Sequence, residues 1–190
     1  MKKLVATALF ASLILTSCSG TSTSTDTSSS ETPRYVTYKT SDFTLNVPDT
    51  WVTLDTFTAD YPSGLRIAFK NNVQNTVFTA NVTVVREDNA SQLTSSDYAQ
   101  KKLQNHKDHL LGYTLISQEN VTLSVSGTNS QTLINTFSGQ NNTDGPTLNF
   151  MQEVLTKGDE AWIVTATYRP DEDEFTVEKM QNILNTFSLR

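Results

Sequence analysis

Between Tyr113 and Tyr168 apolar and polar residues alternate through four or five segments, and only tight-turn chemistry separates them. Alternation is the signature of a half-buried strand, because successive side chains point to opposite faces of a sheet. The segments read as Tyr113 to Glu119, Val121 to Ser126, Gln131 to Ser138, Leu148 to Thr156 and Ala161 to Tyr168. Gly139-Gln-Asn-Asn-Thr-Asp-Gly-Pro146 and Lys157-Gly-Asp-Glu160 are turns between them. Strands joined by such short turns must run antiparallel, since a parallel pair needs a crossover of a dozen residues or more.

The same alternation opens the folded region. Tyr35 to Lys39 and Phe43 to Val47 are strands separated by Ser41-Asp42, and Pro48-Asp49 ends the second. Trp51 follows at once and is expected to plug the edge of the core. Leu65 to Lys70 is entered through Pro62-Ser63-Gly64. Val77 to Arg86 places Phe78, Ala80, Val82 and Val84 on one face.

Two stretches switch to the helical period. In Thr94 to Leu111, Ala99, Leu103, His106 and Leu110 form one stripe, with Ser95 or Ser96 as N-cap and Gly112 as the stop. After Pro170, Val177, Met180, Leu184 and Phe187 make a second stripe. Asp171 and Glu174 have capping-box spacing there, and the acidic run suits a helix N-terminus. Two amphipathic helices need a sheet face to cover. The expected fold class is therefore α+β: an antiparallel β-sheet with two main helices packed on it.

The N-terminal region is of another kind. Lys2 and Lys3 precede an uncharged apolar run from Leu4 to Leu15, too short for a spanning helix of about 20 residues. Leu15-Thr16-Ser17-Cys18 resembles a bacterial lipobox, and Cys18 is the only cysteine of the chain. The resemblance implies a lipoprotein signal peptide over residues 1–17 and a lipid, diacylglycerol with a palmitate-type chain, on Cys18. An ordinary cleaved signal peptide and an uncleaved marginal membrane segment are the alternatives. Two or three acyl chains anchor stably where one does not. Residues 18–34 carry this cysteine and a Ser/Thr-rich stretch without an apolar anchor, read as a disordered tether spanning about 20–25 Å. Serine rather than aspartate after Cys18 implies, by the same resemblance, the outer membrane in a diderm host. In a monoderm it implies the outer face of the cell membrane. The sequence does not decide between hosts.

Residues 35–190 are long enough for one domain with a real core. Removing Lys2 and Lys3 leaves 12 basic against 20 acidic residues, a mature charge of about −8. Such a chain avoids nucleic acid and anionic lipid surfaces. The membrane contact expected is the lipid anchor alone.

Phe43-Thr-Leu-Asn-Val-Pro48-Asp-Thr-Trp51 resembles the opening "F-x-[IL]-x-[VY]-P-x-x-W" of PsbP-like domains. The apolar strand Ile163 to Tyr168, the acidic link and the helix closing on Ile183-Leu184-Asn-Thr-Phe187 are similar to the family's ending. The resemblance implies a PsbP-like α/β/α sandwich over residues 35–190. It also implies a non-enzymatic binding or assembly-assisting role in the cell envelope, with no catalytic residues to carry over.

The chemistry-bearing residues point the same way. His106 and His109 could share a metal at i and i+3, but no cysteine or nearby carboxylate completes a set, so a core-edge histidine and a surface one are expected. Asp171-Glu-Asp-Glu174 lacks the glycine and terminal glutamate of a calcium loop. No Gly-x-Ser-x-Gly elbow, phosphate loop or dinucleotide fingerprint occurs. Trp51, Tyr61, Trp162 and Tyr168 are expected to pack the core, with the lining of a groove as the alternative. The expectation is no enzyme, no metal and no cofactor beyond the lipid on Cys18. The partner expected is an envelope protein or a small ligand. A metal- or small-ligand-carrying envelope protein is the alternative, and a hydrolase a distant third.

Overall fold

The computed structural model describes residues 33–190 apart from 59, 60, 74, 89 and 91. The leader (residues 1–17), Cys18 and the tether up to residue 32 lie outside the described residues. The strands are β1 Tyr35–Lys39, β2 Phe43–Pro48, β3 Val52–Leu54, β4 Leu65–Lys70 and β5 Asn81–Asp88. After helix α1, Ser95–His109, come β6 Leu111–Val125, β7 Thr128–Gln140, β8 Leu148–Lys157 and β9 Glu160–Tyr168. Helix α2, Glu174–Asn185, and the two-residue β10, Ser188–Leu189, close the chain.

All ten strands form one sheet in the order β1-β2-β10-β6-β7-β8-β9-β5-β4-β3. The α+β class holds, but the sheet is mixed rather than purely antiparallel. β10 runs parallel to β6, with Ser188 beside Ser124 and Leu189 beside Val125, while it is antiparallel to β2. The reason is the connection. β9 runs opposite to β6, and α2 carries the chain from β9 across the sheet. β10, running opposite to β9, therefore lies parallel to β6, a pairing between strands far apart in the chain that no tight turn makes.

The strands bury both faces. On β9, Trp162, Val164, Ala166 and Tyr168 join one cluster with Met180, Ile183 and Leu184 of α2. The intervening Ala161 and Ile163 join a second cluster with Tyr98, Ala99 and Leu103 of α1. Leu155 and Val154 of β8, and Ile134 and Leu133 of β7, divide in the same way. Because alternate residues leave a strand on opposite sides, the helices cover opposite faces, giving a helix–sheet–helix sandwich. The sheet also curls around α2. Tyr38 of β1 meets Phe69 of β4 edge-on at 5.3 Å, although eight positions separate these strands in the sheet order. Trp51 is buried in this inner core, as the sequence implies.

Local chemistry moves several boundaries. The α1 cap is Thr94, whose hydroxyl accepts from the Asp97 amide at 3.1 Å. Ser95 is instead buried, and its hydroxyl accepts from the Thr156 amide at 3.0 Å. The α2 cap is Asp173, which accepts from the Thr176 amide at 3.0 Å; Asp171 is taken by Arg169 at 2.7 Å. The two strands expected around Asn120 are one, β6, which reaches β7 through Ser126 and Gly127, both at positive φ. That pair matches the mirror-image turn that suits the twist of a hairpin.

Candidate functional site

The site with the clearest binding geometry lies on the α1-side face of β3, β4 and β5. α1 packs over β7 and β8 and leaves that end of the face uncovered. Alternation puts Ala68 and Lys70 of β4 there, with Thr83 and Val85 of β5, while Ile67, Phe69, Val82 and Val84 enter the inner core. Phe57 and Tyr61, from the segment between β3 and β4, stand over this patch. Phe57 and Tyr61 touch each other across it, ring centres 5.3 Å apart. Leu54, Pro62 and Leu65 close the sides of a mainly apolar pocket of about 320 Å³. Its floor is deep where Ala68 offers only a methyl group. Lys70, half-buried, is the one charged side chain among the described residues of the lining.

The entry to β4 is pinned at Gly64. Its carbonyl accepts from the Arg86 amide at 2.8 Å, and a side chain there would place its Cβ 2.2 Å from the Arg86 carbonyl oxygen. The register shift between Leu65 and Ile67 accommodates this close approach as a bulge. Bulges of this kind re-aim side chains at sheet edges.

On the other side of the Pro62–Gly64 corner lies an open polar cleft of about 530 Å³ with Arg66, Arg86, Glu87 and Asp88 in its lining. Three of these charges, Arg86, Glu87 and Asp88, are paired with neighbours. Arg86 pairs with Asp88 at 3.0 Å and with Glu160 at 2.8 Å. Glu87 accepts from Tyr98 at 2.7 Å and from Lys102 at 2.8 Å. Burial alone would raise the Glu87 carboxyl, but the bonds from Lys102 and Tyr98 outweigh it and hold it below the usual range. Burial and the same bond push the Tyr98 phenol up to about 12.

The histidines do not meet. His106 is half-buried at the α1–sheet seam, stacked on Phe137 at 4.8 Å with its Nε2 3.2 Å from Gln152 Oε1. Burial lowers its pKa against the pull of that bond. His109 is exposed, its Nδ1 2.7 Å from the Asn105 carbonyl. Among the described residues no three His, Cys, Asp or Glu side chains come together in a metal-holding group. The acidic run caps α2 through Asp173. Of the four aromatics, Trp51, Trp162 and Tyr168 are core, whereas Tyr61 is 53% exposed over the pocket.

Sequence reasoning passes over Glu153. It is fully buried on β8, and neither carboxylate oxygen has a hydrogen-bond partner among the described residues. Burial raises its pKa well above the ordinary value. The available signal is its parity: it shares a face with Met151 and Leu155, both in the inner core.

No family model matches the sequence, and no curated protein matches it. Solved structures do. CyanoP, the cyanobacterial PsbP of Synechocystis sp. PCC 6803, is 15% identical with a TM-score of 0.54, covering 93% of this chain and 99% of its own. Protein PA94 of Pseudomonas aeruginosa, of unknown function, is 17% identical with a TM-score of 0.54, covering 80% and 94%. The Ran-binding protein Mog1p of Saccharomyces cerevisiae is 8% identical with a TM-score of 0.58, covering 82% and 95%. At these identities the likeness is one of fold. The domain has a PsbP-like fold.

Proposed function

We propose that the chain is a cell-envelope lipoprotein anchored through lipid on Cys18, and that its PsbP-like domain is a non-enzymatic module binding a small apolar ligand. The pocket beneath Phe57 and Tyr61 carries the binding half of this reading. About 320 Å³ is at the small end of ligand sites, which run to roughly 300–1,000 Å³ with mostly apolar linings and a few polar groups. The leader and lipobox resemblance carry the anchoring half. No helix among the described residues is long and apolar enough to cross a membrane. The non-enzymatic reading is supported by the polar cleft, where Arg86, Glu87 and Asp88 are held in ion pairs rather than left to converge on an open point.

Titration with 1-decanol, followed by amide chemical shifts, tests the pocket. Shifts concentrated at Ala68, Thr83 and Val85 are expected, and their absence at saturation overturns the binding reading. Mass spectrometry of the membrane-extracted N-terminus tests the anchor. A mature chain starting at lipidated Cys18 is expected; an unmodified Cys18 contradicts it.

A further inference from the structure

Among the described residues lining the pocket one side chain, Lys70, is charged, and its sign is opposite to that of the protein. Every other described lining side chain is apolar or neutral, and Lys70 stands among them half-buried on the last position of β4. A lysine so placed lays its methylene stem along apolar surface and keeps its ammonium at the wet rim. Asn81, the register partner of Lys70, adds a neutral amide at the same end. The opposite end is walled by Phe57, Tyr61 and Val85. One end of the cavity thus suits a chain of methylenes and the other an anion.

Resting on the pocket reading above, we infer that the ligand is a single-chain anionic amphiphile, its tail under Phe57 and Tyr61 and its carboxylate or phosphate at Lys70. The volume argues for one chain: about 320 Å³ is near the lower limit for a ligand site and leaves no room for a two-chain lipid. The source is therefore a monomer such as a fatty acid, rather than the headgroups of an intact bilayer. The overall charge makes the preference diagnostic. A mature chain of about −8 repels anions in general, so an anion bound better than its cationic twin must be held by a local group.

The experiment uses the full chain carrying Cys18→Ser, with decanoate, decyltrimethylammonium and 1-decanol as probes sharing one tail. Calorimetric titration at low ionic strength is expected to give decanoate about tenfold tighter binding than decyltrimethylammonium, the size of one partly screened charge contact. In Lys70→Met, which keeps the stem and removes the charge, the ratio should fall to about twofold or less, with 1-decanol unchanged. Ala68→Trp should abolish all three. Because it could also misfold, Thr83→Leu is measured beside it and is expected to weaken all three alike. Equal affinities in the unmodified pocket overturn the anion assignment while leaving the pocket reading standing. Failure of all three probes removes both. Sedimentation of the unlipidated chain with phosphatidylglycerol vesicles would show that bilayer headgroups are the target and overturn the monomer assignment.

Discussion

The Tyr98 hydroxyl donates to a Glu87 carboxylate oxygen across 2.7 Å, tying the first turn of α1 to the end of β5. Lys102, one turn further along α1, donates to the other oxygen at 2.8 Å. Tyr98 itself is buried. The pair therefore ties α1, which packs over β7 and β8, to the end of β5, and its strength is readable in pH.

Removing the phenol should weaken the domain in a pH-dependent way. A bond to a charged acceptor contributes about 1.5–3 kcal/mol when shielded, and the part-exposed Glu87 reduces this to about 1 kcal/mol. The Glu87 carboxyl is held below its unfolded value, so its contribution is present above that value and is lost as pH falls through the folded one. Tyr98→Phe should therefore cost about 1 kcal/mol at pH 7 and markedly less at pH 3, measured by urea denaturation. An equal cost at both values would contradict the assignment.

Glu153 predicts the opposite trend. The unfolded carboxyl ionises near its ordinary 4.5, while the buried one keeps its proton well above that. The folded state then binds more protons than the unfolded state across that interval. This contribution to stability is greatest below the unfolded value and falls as pH rises until the folded carboxyl ionises. Glu153→Met removes the group and its missing partners together, and should stabilise the domain at pH 8 by about 1–3 kcal/mol. Denaturation curves at pH 5 and pH 8 should differ less for the variant than for the parent.

The two helix caps make a paired test. Asp173→Ala and Thr94→Ala should each cost about 1 kcal/mol, because each side chain accepts from a first-turn amide as an N-cap. Asp171→Ala should change stability by less than about 0.5 kcal/mol, since its pairing with Arg169 is at the surface. Thermal unfolding of the three variants ranks them.

Gly64→Ala links the sheet to the pocket. The added Cβ would lie 2.2 Å from the Arg86 carbonyl oxygen, so backbone must move at the bulge beside the pocket. Overpacking of this kind costs about 1–3 kcal/mol. The same displacement should weaken 1-decanol binding several-fold, which a loss of stability alone in the folded population would not do.

How much of this was legible in the sequence depends on the length of each pattern. β4 was readable to the residue from Leu65 to Lys70, and both helical stripes place Leu103, Met180 and Leu184 in the core. β3 and β10, of three and two residues, carry too few positions for a period to appear. β10 is also what makes the sheet mixed. Ser95 was expected to cap α1 because free serines cap helices, yet its hydroxyl is drawn to Thr156 on β8, a contact invisible without the fold. The pocket was half legible. Tyr61 is one of four aromatics for which core packing is the expectation and a groove the alternative, and that Ala68 and Lys70 lie beneath it follows only from the register of β4 on β5. Gln152 and Glu153 are both buried in β8, one bonded to Thr165 and the other without a partner among the described residues, which strand alternation alone does not reveal.

The central claim is that the space under Phe57 and Tyr61 is a ligand site with Lys70 at its anionic end. A crystal structure of the chain grown with decanoate tests it most directly. The account predicts an extended tail over Ala68 and Val85 with the carboxylate within hydrogen-bonding distance of Lys70 Nζ. Decanoate seated elsewhere on the domain, with this pocket empty, would contradict it.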